Sequence, residues 1–530
     1  MPRFPRPGRL LRNESGAFDL PSVLIGVAVV AILAVGVMAL VFGAVPWAQS
    51  RAAAQDLAAL TTAQGTAKAK DGEYADPTRM AQLGYLSSDT ALDFSLSADG
   101  SCWVGVAKAK SGKHFYTVNG SAPAELTRGT KPDCLGASPR YEKVIAGRSG
   151  ACGLGAGTLY CWGDNAYGQL GGGTIDSAGR PVRAAAGELT GKTITDADSG
   201  GWHTCAIDAG GVLYCWGSNS YGKSGDGTLT VLPSPVSVRG HLQGKRVTSV
   251  SLTNQTSCAV AEEKLYCWGS GIGVPATLGD KARSAASKLP LLVDGGDLDG
   301  VAVKSVSVSF NHACALSTSG KAYCWGEPYP WQNGTNTSAG PNYAAVPKAV
   351  DMSKVDGGAF TDLNLGNQSA CAIGSGKAYC WGFGREGQTG NGALAETKIP
   401  TPVGGTATAG KTLVQISAAG HTSCAMDDQG EWFCWGDNAY GQLSTGDSKP
   451  VLYPRPYEGA AVIGGKPNQL SLGEYNLCAL KERAVFCAGS GDGATLGDGK
   501  STSSRVPVEV AEPVNAKSWA ETVLDGGRLS

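Results

Sequence analysis

Cysteine is the residue type whose spacing in this chain can do chemistry. The chain of 530 residues has 16 cysteines, and all but two recur in pairs whose members are nine or ten residues apart. A regular array of thiols can form disulfide bridges or bind metals. Metal-binding cysteines prefer CxxC spacing, which does not occur here, so the pattern favours disulfides. The pairs are Cys152 and Cys161, Cys205 and Cys215, Cys258 and Cys267, Cys314 and Cys324, Cys371 and Cys380, Cys424 and Cys434, and Cys478 and Cys487.

Each cysteine pair encloses a predicted β-hairpin. Two short apolar runs and a Gly-bearing turn separate the two cysteines, as in CAIDAGGVLYC from Cys205 and CALSTSGKAYC from Cys314. Facing residues of an antiparallel hairpin have Cα atoms about 4.5 to 5.5 Å apart, which a disulfide can bridge. The spacing therefore predicts one bridge per hairpin, each contributing on the order of 2 to 3 kcal/mol.

The second cysteine of each pair lies in a recurring segment, which we call the cassette. Its first copy reads LYCWGDNAYGQLGGGT from Leu159, and the copies follow one another at about 52 to 57 residues. Segments rich in Val or Ile before each pair, and Pro-Val pairs after many cassettes, predict three to four short strands per repeat. Strands this short cannot bury a core alone, so the repeats must stack on one another. The later copies begin at Leu213, Leu265, Ala322, Ala378, Trp432 and Val485.

The cassette resembles the repeat of the regulator of chromosome condensation family of β-propellers. Seven copies over residues 140–510 imply that family's seven-bladed ring, and they imply fold rather than function. The third, fourth and seventh copies lose the Asn and Tyr, and Ala488 replaces the Trp in the last. The match is closest at Trp162, Gly163, Asn165, Tyr167, Gly168, Gln169, Leu170 and Gly171, and at Trp435, Gly436, Asn438, Tyr440, Gly441, Gln442 and Leu443.

The N-terminal segment predicts a membrane helix. A leader with four arginines precedes an unbroken apolar run, Val23 to Val45, which is long enough to cross a bilayer of about 30 Å. The positive flank should stay cytoplasmic, which places the repeats outside the cell, in an oxidising environment that permits disulfides. A cleaved secretory signal is the alternative, although its apolar region usually spans only about 7 to 15 residues.

The junction ESGAFDLPSVLIG, from Glu14, resembles the prepilin signal of bacterial type IV pilins. Phe18 fits the first residue of the mature helix, and Gly16 and Ala17 are the small residues at the processing site. Ser22 stands where these pilins usually have Glu, which implies a minor or tip pilin. A plain signal anchor remains the alternative.

Residues 47–137 predict a small α+β head of the pilin type. An Ala-rich helical stretch comes first, and three alternating apolar runs separated by Gly-bearing turns follow it. We expect Cys102 and Cys134 to pair at the end of this head, with free thiols as the alternative. The predicted fold class is thus mainly β, a seven-bladed propeller preceded by a transmembrane helix and a small head. The predicted segments are a leader (1–17), a transmembrane helix (18–46), the head (47–137), the propeller (138–511) and a tail (512–530).

Charge and motifs give no indication of an enzyme or of a nucleic-acid binder. The 44 basic and 45 acidic residues nearly balance, whereas nucleic-acid binding would require a concentrated basic surface. The sequence has no nucleophile elbow, HExxH pair or phosphate loop, so we predict no catalytic residue, cofactor or metal. His203, His312 and His421 precede the first cysteine of a repeat, but other repeats place Ser, Gln or Tyr nearby, which favours a structural role over metal binding.

Two groups of aromatic residues are candidate binding sites. The cassette tryptophans could form a carbohydrate-binding ring, but packing between blades is favoured because they repeat while binding residues vary. The irregular fourth cassette places Tyr329 and Trp331 on a loop, where exposed aromatics often contact partners. A loop that only accommodates a lost cassette is the other interpretation of that segment.

These observations predict a single-pass membrane protein that displays a disulfide-bridged propeller at the cell surface or on a pilus. Its function would be adhesion or partner binding, with pilin subunits and an extracellular protein or glycan as expected partners. The alternative is a signal-anchored inhibitor or receptor module, similar to the secreted bacterial propeller that blocks β-lactamases. Guanine nucleotide exchange, the activity of the family's namesake, is disfavoured because oxidised blades outside a membrane cannot meet a cytosolic GTPase.

Overall fold

A computed structural model shows a chain dominated by β-sheet. Its described part contains eight four-stranded antiparallel sheets, each a meander of consecutive strands. No helix among the described residues has the length and apolarity that a bilayer crossing requires. The predicted leader and membrane helix lie outside the described residues. The described residues are 53–69, 74–75, 80, 92–96, 103–108, 113–126, 140–272, 277–327, 331–335, 344–511 and 513.

One sheet belongs to the N-terminal region and seven form the blades of a ring. The N-terminal sheet contains β1 (Leu92–Leu96), β2 (Trp103–Lys108), β3 (His114–Val118) and β4 (Ala124–Leu126). Blade 1 contains β5 (Lys143–Ala146), β6 (Gly150–Gly155), β7 (Thr158–Gly163) and β8 (Ala178–Arg183); blade 2 contains β9 (Ile194–Ser199), β10 (His203–Asp208), β11 (Leu213–Gly217) and β12 (Leu232–Ser237); and blade 3 contains β13 (Val247–Leu252), β14 (Thr256–Ala261), β15 (Lys264–Ser270) and β16 (Ala286–Leu292). Blade 4 contains β17 (Val303–Val308), β18 (His312–Ser317), β19 (Ala322–Gly326) and β20 (Ala344–Ala349), and blade 5 contains β21 (Asp362–Leu365), β22 (Ser369–Gly374), β23 (Lys377–Gly382) and β24 (Thr397–Pro402). Blade 6 contains β25 (Leu413–Ala419), β26 (Thr422–Asp427), β27 (Trp432–Gly436) and β28 (Val451–Pro456), and blade 7 contains β29 (Gln469–Leu472), β30 (Asn476–Lys481), β31 (Ala484–Gly489) and β32 (Ser504–Glu509).

Helices are few in the described part of the chain. Residues 53–69 form α1, and Gly459–Val462 form α2. Single turns of 3₁₀ helix span Gly187–Leu189, Ser220–Gly222, Gly240–Leu242, Gly296–Leu298, Asp356–Gly358 and Asp492–Ala494.

The cysteine pairs bridge the second and third strands of every blade. In blade 1, Cys152 on β6 faces Cys161 on β7 in the antiparallel register. The Cα atoms of the seven bridged pairs are 4.0 to 4.2 Å apart, and every sulfur is buried. The structure therefore contains the seven predicted hairpin bridges. Cys102 and Cys134 lie outside the described residues.

The cassette folds into a loop that its own Asn holds together. The buried Asn165 Oδ1 accepts a hydrogen bond from Leu170 N (2.9 Å), and its Nδ2 donates to Thr174 O (3.0 Å). Asn438 repeats the first contact with Leu443 N at 2.9 Å. The Asn side chain thus forms hydrogen bonds with backbone groups of the loop that are not paired with any strand. This role explains why the Asn recurs in regular cassettes.

The apolar core lies between adjacent blades. Each described hydrophobic cluster of the ring combines residues from neighbouring sheets, such as Val144 and Trp162 of blade 1 with Leu480 and Val485 of blade 7. All six cassette tryptophans are fully buried. Because no single sheet closes its own core, the blades stabilise one another in the way that repeat architectures require.

Polar side chains on the innermost strands join consecutive blades. Each accepts a hydrogen bond from a backbone N–H on the innermost strand of the following blade. These bonds give partners to backbone groups of strands that are otherwise sheet edges. At the point of closure, the Gln469 side chain accepts from Val144 N and donates to Val144 O, both at 2.9 Å. The other contacts include Leu252 N to Asp198 Oδ2 (2.7 Å), Val308 N to Ser251 Oγ (3.1 Å), Leu365 N to Ser307 Oγ (3.1 Å), Ile416 N to Asp362 Oδ2 (2.9 Å) and Ala146 N to Ser471 Oγ (2.9 Å).

In the N-terminal region, α1 packs on the sheet β1–β4. Leu57, Leu60 and Ala63 of the helix are buried against the sheet residues Trp103 and Ala107. A Cβ on Gly105 would lie 2.6 Å from Leu60 Cδ2, so this glycine allows the helix to approach. The helix and three of the strands match the predicted head, and β4 was not predicted. Whether this unit is a pilin head remains a prediction.

Candidate functional site

The loops between the first and second strands of all seven blades surround one cavity, which we call the mouth. The volume of the mouth is about 560 Å³. The first strand of every blade ends at this side of the ring, so the loop that follows it projects toward the ring axis. The cassette loops lie on the same side of the sheets and form an outer rim. The loop residues that line the mouth are 147–148, 200, 253–254, 309–311, 367–368, 420–421 and 473–474.

A charged pair and two amides connect four blades at the mouth. Arg148 Nη1 of blade 1 lies 3.0 Å from Glu474 Oε2 of blade 7. Asn367 Nδ2 of blade 5 donates to Glu474 Oε1 at 3.3 Å. With the amide of Asn254 oriented to satisfy both of its groups, its oxygen accepts from Arg148 Nη1 at 3.1 Å. These contacts cross the ring between blades that are distant in the sequence.

The mouth has little net charge available to a ligand. Arg148 and Glu474 neutralise each other, and the Asp198 carboxylate accepts hydrogen bonds from Leu252 N (2.7 Å) and Ser199 N (2.9 Å). Burial raises the pKa of Asp198 to about 6, because the charged form loses hydration that these bonds only partly replace. Each charged group is therefore engaged by the protein itself.

Aromatic residues stand at the rim in pairs that join neighbouring blades. The ring centroids of Tyr167 and Trp202 are 6.4 Å apart, and those of Tyr440 and Tyr475 are 5.1 Å apart. The Tyr475 hydroxyl also contacts the Glu474 carboxylate, and this hydrogen bond raises the pKa of Tyr475 to about 12. Phe310 differs, because its side chain is 58% exposed. It makes no ring contact with any residue that the structure describes.

One arc of the mouth, formed by blades 4 to 6, has polar groups that the protein does not use. Asn311, Gln368 and Ser417 line the cavity and are partly exposed. Their side chains make no hydrogen bond to the described part of the chain. Phe310 lies in the same arc, directly before Asn311. One arc of the cavity lining thus contains an exposed aromatic residue together with uncommitted amide and hydroxyl groups.

The three histidines that precede cysteines occupy two different environments. His203 Nε2 lies 2.8 Å from Ser257 Oγ, and His312 Nδ1 lies 2.7 Å from Ser309 Oγ. Both rings are buried, and burial lowers both pKa values, that of His312 to about 3. His421 instead lines the mouth, where its Nδ1 accepts from Gln388 Nε2 at 3.1 Å. Among the described residues, no group of three His, Cys, Asp or Glu side chains could hold a metal ion.

Five of the six cassette tryptophans, all except Trp325, form hydrogen bonds between blades. Trp216 Nε1 donates to Gln169 O at 2.9 Å, and Trp381 Nε1 donates to Gln332 O at 2.9 Å. Trp162 makes the equivalent bond to Thr495 O at 3.2 Å, where blade 1 meets blade 7. Because these rings are buried, they pack the blades together and do not form a carbohydrate-binding ring at the surface.

Of the two aromatic residues predicted in the fourth cassette, Trp331 is described and partly exposed. Lys398 Nζ of the next blade lies 4.3 Å from the centroid of its indole ring. Trp331 does not line the mouth, and Tyr329 lies outside the described residues, as do Gly16, Ala17 and Phe18. A partner site at Trp331 therefore stays a prediction.

The sequence model of the RCC1-like domain family matches residues 158–527 of the chain. This match covers most of the ring and extends into the segment predicted as a tail. The chain belongs to the RCC1-like domain family. The ring is therefore an RCC1-like propeller, and the predicted fold of the repeats is confirmed.

Comparisons with individual proteins agree with this family. The chain is 28% identical over 386 residues to the Ultraviolet-B receptor UVR8 of Arabidopsis thaliana, covering 71% of this chain and 83% of the receptor. It is 26% identical over 363 residues to human E3 ubiquitin-protein ligase HERC2, where the match covers 67% of this chain but 7% of the ligase. Among solved structures, Prp20p of Saccharomyces cerevisiae has a TM-score of 0.57 at 19% identity, with 67% of this chain and 85% of that chain covered. At that identity the likeness shows the fold alone.

Apart from His421, the residues that line the mouth were not predicted from the sequence. Arg148, Asn254, Phe310, Asn367 and Glu474 fall in one column when the repeats are aligned, directly after the first strand and a Gly, Ser or Thr. The column varies from blade to blade, whereas Cys-Trp-Gly recurs in six of the seven cassettes. Variation within a constant scaffold is the signal that would have located this surface.

Proposed function

We propose that this RCC1-like propeller is an exported binding module that engages a partner through the mouth and its rim. The observation that carries the proposal is the convergence of seven variable loops on one concave surface, held by a rigid ring of bridged blades. Rigid loops lose little conformational entropy on binding, which favours recognition. The name of the relative UVR8 describes a receptor, and a binding role suits the family. We further propose that the chain is not an enzyme.

The seven buried disulfides support location in an oxidising compartment. Together with the apolar segment Val23–Val45, they favour a chain that stays in the membrane by its N-terminus and displays the ring outside the cell. In the first version of the proposal the chain is a minor or tip pilin that serves adhesion. In the second it is a signal-anchored receptor or inhibitor. The two versions differ in leader processing and share the mouth.

Attachment of cells tests the role of the mouth. Cells that express the full-length chain should adhere better to mucin-coated surfaces than cells that lack it. Tyr440→Ala at the rim should reduce that attachment, whereas Tyr453→Ala on β28 should not. The two tyrosines are exposed to similar extents, 42% and 48%, so position is the main difference between them. Equal attachment of cells with and without the chain would contradict an adhesive role.

Mass spectrometry of the mature N-terminus distinguishes the two versions. A chain that begins with a methylated Phe18 or Ala17 would support prepilin processing. A chain that retains its basic leader would exclude a processed pilin and leave the signal-anchored receptor or inhibitor.

A further inference from the structure

We propose that the arc of the mouth formed by blades 4 to 6 binds a neutral carbohydrate, with Phe310 as the stacking surface and Asn311, Gln368 and Ser417 as hydrogen-bonding groups. This inference deepens the proposed binding function and rests on it. It assigns a ligand class and one side of the mouth.

Phe310 provides a preorganised apolar surface. Its loop is held on both sides, because Ser309 N donates to His312 O at 2.8 Å and Glu327 N donates to Asn311 O at 2.8 Å. Phe310 as a whole residue is 58% exposed, and it lines a polar cavity. An exposed large apolar side chain at a concave polar site is a feature of ligand-binding surfaces. The C–H face of a pyranose ring can cover such an aromatic ring without removing a charge from water.

The polar groups of the same arc match sugar hydroxyl groups in type. The amides of Asn311 and Gln368 each offer donors and an acceptor, and the Ser417 hydroxyl offers both. None of the three side chains is engaged by the described part of the protein. A sugar hydroxyl also donates and accepts at one oxygen, so amides and hydroxyls can satisfy both of its roles. The three residues come from consecutive blades, which spaces the contacts along an arc.

Charge selects against an anionic ligand. A sulfate, a phosphate or a sialic acid carboxylate is usually bound by an uncompensated cation. Among the described residues, Arg148 is the one arginine that lines the mouth, and it is paired with Glu474 at 3.0 Å. The carboxylate of Asp198 is likewise occupied by two backbone N–H groups. The cavity of about 560 Å³ falls within the usual range of about 300 to 1,000 Å³ for small-ligand sites, which suits a short oligosaccharide.

The test uses an array of oligosaccharides and the full-length chain in a detergent without a sugar head group. The array carries neutral hexose and N-acetylhexosamine oligomers together with sulfated and sialylated ones. We expect retention of neutral oligomers. Phe310→Ala and Gln368→Ala should each weaken retention by about tenfold, as loss of a central contact does. Val212 is exposed in the loop between β10 and β11, on the side of the ring opposite the mouth. Val212→Ala should therefore leave the retention of oligosaccharides unchanged. Thermal unfolding of each variant checks that the ring is intact.

Each outcome decides the inference. Retention of charged oligomers alone would overturn the neutral class, and retention of neutral oligomers that Phe310→Ala and Gln368→Ala do not weaken would overturn the location. If no oligosaccharide is retained while the attachment of cells still depends on Tyr440, this inference fails and the proposed function stands. If that dependence is also lost, both fail.

Discussion

Trp216 Nε1 of blade 2 donates a hydrogen bond at 2.9 Å to Gln169 O of blade 1, which lies in the cassette loop two residues before Gly171. Gly171 has a φ of +74°, and a Cβ on it would lie 2.7 Å from Trp216 Nε1. Gly171, the first of the three consecutive glycines of the cassette, therefore has two functions. It adopts a left-handed conformation, and it leaves space for the indole of the next blade.

Gly171→Ala should lower the stability of the ring by more than the cost of placing an alanine in a left-handed conformation. Gly430 is the matched control, because its φ is +73° and a Cβ there would have no atom within 4 Å. A left-handed alanine costs about 1 to 2 kcal/mol, so Gly430→Ala should show that loss alone. Gly171→Ala should lose about 1 to 3 kcal/mol more, because Trp216 must move. Denaturation midpoints measure the difference, and equal losses would show that the indole contact is not tight.

Lys223 occupies the position at which four other cassettes have Gln. In blade 1, Gln169 Oε1 accepts from Tyr167 N at 3.0 Å. The buried Lys223 instead donates from Nζ to Asn254 O at 2.6 Å. Burial lowers the pKa of Lys223 to about 8, because the ammonium group loses water.

Lys223→Gln should stabilise the protein at pH 7 and change its dependence on pH. An unfolded lysine keeps its proton up to about pH 10.5, whereas folded Lys223 releases it near pH 8. Between these values the unfolded state binds more protons, so the contribution of Lys223 to stability rises with pH. The glutamine variant should be more stable at pH 7 by on the order of 1 to 3 kcal/mol, with the advantage shrinking by pH 10. The free energies of unfolding of both proteins, measured across this pH range, give the difference in stability. A difference that is constant with pH would show that Lys223 titrates normally.

Local features of the fold could be predicted from the sequence, and long-range ones could not. The bridge between Cys152 and Cys161 depends on one hairpin, so spacing alone was sufficient. The contact between Arg148 and Glu474 depends on the closure of the whole ring, and no local pattern connects the two residues. The inner strands carried a signal that was missed. Their alternating polar residues, as in Asp362 and Asn364, accept hydrogen bonds from backbone N–H groups of the next blade, whereas the pattern of a half-exposed strand would place them in solvent.

The pair Arg148 and Glu474 should show a measurable coupling that depends on salt. Side-chain exposures of 38% and 15% place the pair between surface and interior, so we expect a coupling of about 0.5 to 1 kcal/mol. A double-mutant cycle with Arg148→Ala and Glu474→Ala isolates it. The control cycle uses Lys377 and Asp356, which are 2.7 Å apart and mostly exposed.

Salt distinguishes the two pairs. Screening at about 0.5 M salt should reduce any coupling of the exposed pair to nothing measurable, while the mouth pair retains part of its coupling. Identical behaviour of the two cycles would show that water screens the mouth as it screens the open surface. In that case the mouth would not be a partly desolvated site.

The cysteines of the ring should resist alkylation in protein taken directly from its native cells. All fourteen sulfurs are bridged and buried, so a thiol reagent should label none of them even in denaturant, and all of them after denaturation and reduction. Reductant without denaturant should act slowly, because thiolate attack requires access to sulfur. Mass spectrometry of the peptides gives the count for each blade. Labelling of ring cysteines before reduction would mean that the protein matures in a reducing compartment. Each missing bridge would then lower the free energy of unfolding by about 2 to 3 kcal/mol. Display outside the cell would be excluded.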